Sequence, residues 1–225
     1  MKSLNQYIKE KLIINQRFDE KLIINKNYRS GDLSPKSFDE LRKIIEDRNN
    51  KLGPGTKENP IDFNDIDVSN MDSFYNYIKN KGIFERTQFE YIDISNWDVS
   101  NIESMRTMFF GCEGLKSVGD ISEWNVSNVT NMEAMFCSCY HLNTNIADWD
   151  VSRVTNMGGM FYSCESFNQN LSKWDVSNVT GMGFMFKYCE SFNQDISNWN
   201  VSNVTFMSFM FFGCPIKEKY KPKFK

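Results

Sequence analysis

Residues 174–198 read WDVSNVTGMGFMFKYCESFNQDISN, and close copies of this 25-residue unit fill the second half of the chain. All five tryptophans open such a unit, and the last four lie 25 residues apart. Ten of the twelve methionines and five of the six cysteines fall in the same register. A fixed period in this size range is typical of solenoids, propellers and other arrays. The repeated tryptophans and cysteines are Trp97, Trp124, Trp149, Trp174, Trp199, Cys112, Cys139, Cys164, Cys189 and Cys214.

Each unit contains two kinds of apolar spacing. The V-S-N-V-T-x-M part is β-branched and roughly alternating, which favours a short strand. The M-x-x-M-F-x-x-C part has steps of three and four, which favour a turn of helix. A unit this small cannot bury its own apolar side, whereas stacked units bury one another. We therefore predict an α/β solenoid of about five to six coils, with tryptophan, methionine and cysteine each in a column.

The chain divides into four segments. Residues 1–60 form a helical N-terminal segment and linker, 61–96 a degenerate capping coil, 97–214 the repeat solenoid, and 215–225 a basic tail. In the capping coil Ile66 stands for tryptophan, Phe74 and Tyr77 stand for the two methionines, and an insertion is expected within 79–88. Terminal repeats are expected to be atypical, because they close the core against water.

Two helices are predicted in the N-terminal segment. The first lies near residues 3–14, within a short duplication of the sequence EKLIIN, and serves either for packing or as a docking peptide. The second spans 34–48, with Ser34 as N-cap and Pro35 at the first helical position. Its apolar face is expected to contain Phe38, Leu41, Ile45 and Arg48. Glycines and prolines then predict a linker over 49–60.

Composition excludes several classes of function. The net charge of −3 gives no general surface for polyanions, so no nucleic-acid partner is predicted. The longest apolar run is far shorter than the ~20 residues of a membrane helix, so no membrane span is expected. The N-terminus lacks the apolar region of a signal peptide. We therefore expect free thiols in a reducing compartment, and a cytoplasmic or virion-associated protein rather than a classically secreted one.

The cysteine and methionine columns could in principle hold a soft metal ion. Stacked coils bring neighbouring cysteines within disulfide range, and thiolates bind metals. However, each cysteine follows an apolar Met-Phe pair, and a period of 25 is not a metal-ligand spacing. The sequence favours buried structural thiols and a methionine core.

Neither a catalytic nor a cofactor site is predicted. His141, the only histidine, lies near Cys139 in one copy of the repeat, but nothing orients the pair for catalysis. No metal ion is predicted either, although whether an Asp/Asn column binds Ca²⁺ is left open. Asparagine dilutes these columns, and asparagine suits turns. The columns comprise Asp98, Asn125, Asp150, Asp175 and Asn200, with Asp120, Asn145, Asn170 and Asp195 four residues before each later tryptophan.

The repeat V-T-x-M-x-x-M-F-x-x-C-x-S-F-N-Q-[DN]-[IL]-S-x-W-[DN]-V-S, at residues 154–176 and 179–201, closely resembles that of BspA-like leucine-rich-repeat surface proteins, including the lipoprotein-associated repeats of mycoplasmas. The resemblance is strong over 97–214 and weak over 61–94. It implies a leucine-rich-repeat-like solenoid, without catalysis, that acts in adhesion and recognition. From its N-terminal residues we expect the chain to lack the leader of such surface proteins, and its first 25 residues somewhat resemble leaders of bacteriophage-encoded repeat proteins.

The leading hypothesis is a non-enzymatic module that recognises a protein or glycan through one solenoid face. Variable positions within an otherwise constant repeat are the candidates for binding, since the core has not fixed them. These candidates are Glu123, Asp148, Lys173 and Asn198 before the tryptophans, and Asn131, Asn156, Gly181 and Phe206 before the first methionines. The alternative is a structural or scaffold component, for example of a phage particle, that assembles through residues 1–60 or through the solenoid ends.

Overall fold

The computed structural model describes residues 33–77 and 79–224. The chain separates into two compact units, residues 1–33 and 34–225, and the description below concerns the second. The helix predicted near 3–14 lies outside the described residues. Within the described part no helix combines the length and apolar character needed to cross a bilayer.

Helix α1 spans Phe38–Leu52, so the prediction of 34–48 was displaced by four residues at each end. Ser37, rather than Ser34, is the N-cap, and its hydroxyl accepts the Glu40 N–H at 3.3 Å. This choice places two carboxylates in the first turn, where they favour the helix dipole. The predicted face is correct at its centre, since Leu41, Ile45 and Arg48 are buried.

Regular strands are short in the described residues. Strand β1 (Ile61–Asp62) pairs in parallel with β4 (Ile92–Asp93), and β2 (Tyr75–Asn76) pairs antiparallel with β3 (Lys81–Gly82). Elsewhere, single parallel bridges join the residue before the first methionine of each repeat to its equivalent in the next repeat. This line of bridges runs Ser73, Ser104, Asn131, Asn156, Gly181, Phe206. We call the surface along it the ladder face.

The M-x-x-M-F-x-x-C segment is not the helical turn that its spacing predicts. Its backbone N–H groups alternate between two acceptors. Met182, Phe184, Phe186 and Tyr188 donate to carbonyls 24 residues later, whereas the residues between them from Met185 onward close turns onto carbonyls three residues earlier. Phe184 and Tyr188 have φ of 60° and 59°, and the equivalent positions of the other four repeats that begin with tryptophan are also left-handed. These left-handed residues prevent a continuous helix and turn N–H groups toward the next repeat.

Equivalent aromatic side chains are stacked through the core. The rings of Phe84, Phe109, Phe136, Phe161 and Phe186 follow one another with centroids 5.2 to 5.9 Å apart and planes within 15°. Two tryptophan pairs, Trp124–Trp149 and Trp174–Trp199, are stacked at 6.2 and 6.3 Å. Offset stacking of this kind adds to the free energy of burial.

Polar side chains also connect neighbouring repeats, which explains why the polar letters of the motif recur. The indole Nε1 of Trp174 donates to the Ile146 carbonyl at 3.0 Å, and Trp199 does the same to Leu171. Thr155 and Thr180 donate their hydroxyls to the carbonyl of the threonine one repeat earlier. Asn178 likewise donates to the Ser152 carbonyl at 2.8 Å. Each motif residue thus satisfies a backbone acceptor of its neighbour.

The first repeat departs from its predicted alignment. Phe74 is fully buried and occupies the first methionine position, as its bond to the Ser104 carbonyl indicates. Tyr77, assigned from spacing to the second methionine position, is instead 66% exposed. The β2–β3 hairpin is the insertion, and it begins earlier than predicted. Buried Ile83 follows the hairpin and takes the position assigned to Tyr77.

The basic tail packs against the repeat of residues 174–198. Ile216 is buried, and a 3₁₀ turn at Glu218–Tyr220 brings the Tyr220 carbonyl to the Ile196 N–H at 3.0 Å. The tail therefore completes the last repeat and covers the end of the repeat before it, whereas the outer side of the stretch 206–213 has no such cover among the described residues.

Candidate interaction surface

The candidates before the tryptophans form one exposed column. Glu123, Asp148, Lys173 and Asn198 are all exposed. Lys173 pairs with Asp148 at 2.5 Å, and Asn198 donates its amide to the Ser172 carbonyl at 2.7 Å. An exposed ion pair of this kind contributes at most about 1 kcal/mol, so the fold does not depend on the Asp148 and Lys173 side chains. The column is free to vary and to contact a partner.

The candidates before the methionines lie on the ladder face, and two of them have a local structural task. The amide oxygens of Asn131 and Asn156 each accept the N–H two residues later, at 2.9 Å. Phe206 has no acceptor to offer, and its ring lies over Gly183, where a Cβ atom would fall within 2.0 Å of it. Among the described residues no hydrogen bond or ion pair joins this column to the one before the tryptophans.

The ladder face also carries residues that the spacing argument missed. Arg106 pairs with Glu133 at 3.3 Å and lies over the Tyr75 ring at 4.8 Å, and the Asn156 amide reaches the other Glu133 oxygen at 3.0 Å. Arg106 and Glu133 each follow the first methionine of a repeat, a position that also varies between repeats. Variation at those positions was the available signal.

The ladder face becomes aromatic toward its C-terminal end. Four side chains of the last repeat, Phe206, Met207, Phe209 and Phe212, are exposed by 50%, 40%, 59% and 52%. The Lys187 ammonium lies 5.1 to 5.6 Å from five ring centroids, in contacts of cation–π length. These rings belong to Tyr162, Phe184, Tyr188, Phe209 and Phe212.

The thiols of the cysteine column are free, and all but the half-buried Cys214 are buried. The Sγ atoms of Cys112, Cys139, Cys164 and Cys189 lie 2.8 to 3.2 Å from carbonyls of the preceding repeat. Burial raises the pKa of the Cys112 thiol to about 11 and also raises the pKa of the other three. Thiols held protonated in this way are poor nucleophiles and poor metal ligands.

The Asp and Asn columns cap turns. Asp98, Asp175 and Asn200 each accept the N–H of the serine two residues later, at 3.0 to 3.2 Å. The hydroxyl and the N–H of those serines lower the pKa of Asp98 and of Asp175. Within residues 33–77 and 79–224 no group of three or more His, Cys, Asp or Glu side chains has metal-binding geometry. His141 is exposed.

A groove of about 550 Å³ lies where α1 begins, beside the first bridges of the ladder face. Ser37, Tyr75, Tyr77, Glu103 and Thr130 are among the residues that line it. The groove is open and mostly polar, which suits a polar segment or sugar better than an apolar ligand.

Comparison with known proteins identifies the family of the repeat. Three overlapping matches, to residues 56–118, 78–172 and 113–221, run from the start of the first repeat to the tail, and all are to one family. No curated protein and no solved structure matches the chain. The chain belongs to the family of Mycoplasma proteins of unknown function, DUF285.

Proposed function

We propose that residues 61–224 form a leucine-rich-repeat-like solenoid, and that this solenoid is a non-enzymatic module for binding a protein or a glycan. The stacking contacts at a spacing of about one repeat support the architecture. The resemblance to BspA-like surface proteins supports adhesion or recognition as the task.

The observation that carries the proposal is the contrast between constant and variable positions. Constant letters make contacts that hold neighbouring repeats together, as the threonine and tryptophan bonds do. Within the part of the chain that the structure describes, the exposed column at Glu123, Asp148 and Lys173 makes only a surface ion pair. Side chains that the fold does not need, presented at regular spacing on a fixed backbone, are suited to recognition.

The test compares three variants on arrays of glycans and folded proteins. The first replaces Glu123, Asp148 and Lys173 by alanine, and the second replaces Asn131, Asn156 and Phe206 by serine. The matched control replaces another exposed column, Glu113, Glu165 and Glu190, by alanine.

We expect the unchanged chain to bind a defined ligand and the control to retain it, while at least one of the two column variants loses it. All three should keep their unfolding temperature within a few degrees, because surface substitutions cost about 0.5 kcal/mol or less and serine can replace the asparagine oxygen, as Ser104 does. Binding that survives both column variants, or no binding at all, contradicts the proposal.

A second candidate is a structural component that assembles through residues 1–60 or through the ends of the stack. The exposed aromatic side chains of the last repeat favour it, since large exposed apolar patches mark interaction sites. Light scattering over a range of concentrations separates the candidates, because a mass that stays that of one chain argues against self-assembly.

A further inference from the structure

The C-terminal end of the repeat stack carries backbone donors that have no acceptor. In the preceding repeat the N–H groups of Met182, Phe184, Phe186 and Tyr188 bond carbonyls of the last repeat. Their equivalents in the last repeat, the N–H groups of Met207, Phe209, Phe211 and Gly213, have no acceptor among the described residues.

The carbonyls of residues 206–212 each accept a backbone hydrogen bond. Those of residues 206, 208, 210 and 212 accept from the preceding repeat, and those of 207, 209 and 211 accept from turns within the last repeat. Up to residue 212 this edge therefore offers N–H donors and no unused carbonyl. Its exposed aromatic and thioether side chains occupy positions of the repeat that are more buried elsewhere: Met207 is 40% exposed, whereas Met182 is 0% exposed.

The opposite end of the stack is closed. The Arg42 guanidinium of α1 donates to the carbonyls of Gly82, Ile83 and Glu85 at 2.6 to 3.1 Å. Ile83 and Glu85 stand at positions whose carbonyls accept inter-repeat bonds in later repeats. A side chain of α1 thus takes the place of the donors of a preceding repeat.

We propose that the edge formed by residues 206–213 binds an extended apolar segment of another polypeptide, which pairs its backbone carbonyls with these N–H groups and covers the exposed rings. The segment has the chemistry of one further repeat: a row of free carbonyls along one edge and apolar side chains at the methionine and phenylalanine positions. Main-chain pairing at an open edge is an established mode of peptide recognition.

A second copy of this chain does not have that chemistry. Its own C-terminal edge would set donors against donors, and its N-terminal carbonyls are occupied by Arg42 beneath α1. Unpaired donors buried in such a contact are costly. Neither end of the described stack of a second copy therefore supplies the acceptor row.

The probe is a synthetic peptide with the sequence of residues 175–189, DVSNVTGMGFMFKYC, in which serine replaces the cysteine, and its scrambled version is the control peptide. Amide hydrogen exchange of the full chain, followed by NMR, reports each N–H separately. We expect exchange at Met207, Phe209, Phe211 and Gly213 to slow at least about tenfold with saturating peptide and to stay unchanged with the scrambled one.

Phe209→Gly is the matching protein variant. Phe209 has φ of 56°, which glycine adopts without strain, so the fold is retained while a 59% exposed ring is removed. We expect peptide affinity to fall about tenfold or more. Tyr77→Ser, which removes an exposed ring elsewhere, should leave affinity unchanged.

Three results overturn the proposal: no peptide binding, protection of amides other than those four, or equal affinity of Phe209→Gly and the unchanged chain. Concentration-dependent dimers that protect the same amides without peptide would show that a second copy is the occupant, and would overturn it as well.

Discussion

Trp124 and Trp149 provide a paired test of how the repeats are joined. Their rings are stacked on each other at 6.2 Å with planes 5° apart, and they are 6% and 3% exposed. The Trp149 indole donates to the Ile121 carbonyl at 2.9 Å, whereas the Trp124 Nε1 has no partner within the described residues. The repeat before Trp124 has 27 residues instead of 25.

Replacing either tryptophan by phenylalanine removes similar apolar area and the same stacked pair. At Trp149 the substitution also deletes a hydrogen bond, which costs about 0.5 to 1.5 kcal/mol, whereas at Trp124 it relieves a buried unpaired donor that costs about 1 to 3 kcal/mol. We therefore expect Trp149→Phe to be more destabilising than Trp124→Phe by about 2 kcal/mol. In a chain of this size that difference corresponds to about 4 to 8 °C in Tm.

The assay is calorimetric unfolding of the two single variants, the double variant and the unchanged chain. Amide exchange of the Trp124 and Trp149 regions shows whether the loss is local to the two repeats. Equal losses for the two single variants, or a larger loss for Trp124→Phe, would refute the hydrogen-bond argument.

Three further changes have defined outcomes. Gly159 has φ of 62° with no atom closer than 4.0 Å to an added Cβ, and Ala134 has φ of 53° at the equivalent position. Calorimetry should therefore find that Gly159→Ala lowers the free energy of unfolding by about 1 to 2 kcal/mol, because alanine is strained at positive φ. Ala134→Gly should raise it by about 0.5 to 1 kcal/mol, because glycine adopts this φ freely. Arg42→Met should lower the free energy of unfolding by about 3 kcal/mol, because three hydrogen bonds are lost, and amide exchange should increase first in residues 82–87. The surface control Lys173→Met should lower it by less than about 1 kcal/mol in the same measurement. Burial raises the pKa of the thiols in the folded state, so their contribution to stability is complete below the pKa of the unfolded thiol and is lost as the pH rises above it. The free energy of unfolding, measured by denaturant titration, should therefore fall between about pH 9 and pH 11. In Cys139→Ala the fall should be less steep by about 1.4 kcal/mol per pH unit.

The spacing of residues was informative about which side chains meet. The 25-residue period aligns Phe136 with Phe161, and their rings are stacked at 5.9 Å. It also aligns the threonines, and Thr180 indeed bonds Thr155. Such contacts could be inferred because a stack of equal units brings like residues together, whatever the local backbone does.

The local backbone could not be inferred in the same way. Steps of three and four favoured a helical turn, but Ala134, Phe184 and Tyr188 adopt left-handed φ although none of them is glycine. These residue types do not predict a left-handed backbone conformation. It is imposed by the inter-repeat bonds of their N–H groups, which exist only once the repeats are stacked.

The alignment predicted for the first repeat and the bounds predicted for α1 were wrong because the local sequence offers competing signals. Ser34 and Ser37 are both plausible N-caps, and the acidic residues decide for Ser37 only when the helix is allowed to begin later. Tyr77 matched the methionine spacing, but the β2–β3 hairpin intervenes and delivers Ile83 to that position. An insertion inside a repeat breaks the register that the period otherwise supplies.

Exposure at the end of the stack depends on position along the stack and not on sequence. Met182 and Met207 occupy the same place in the motif, yet only Met207 is exposed, because no repeat covers it in the structure. The candidates before the methionines therefore included Phe206 for its variability, while Phe209 and Phe212 went unnoticed. A surface of this kind can be identified only when the structure shows which repeat lies at the end of the stack.

The two ends differ because side chains cap carbonyls and N–H groups with different chemistry. An edge of carbonyl groups can be capped by a long side chain that carries hydrogen-bond donors, and the Arg42 guanidinium donates three such bonds. An N–H edge needs carboxylates, amides or hydroxyls. Apart from the Ser208 hydroxyl, the side chains of residues 206–213 are instead aromatic or thioether groups, with Lys187 among them and Lys221 lying 5.8 Å from the Phe211 ring. Lysine is a donor and cannot accept, so these side chains repel another donor edge and leave the N–H groups to a backbone that brings carbonyls.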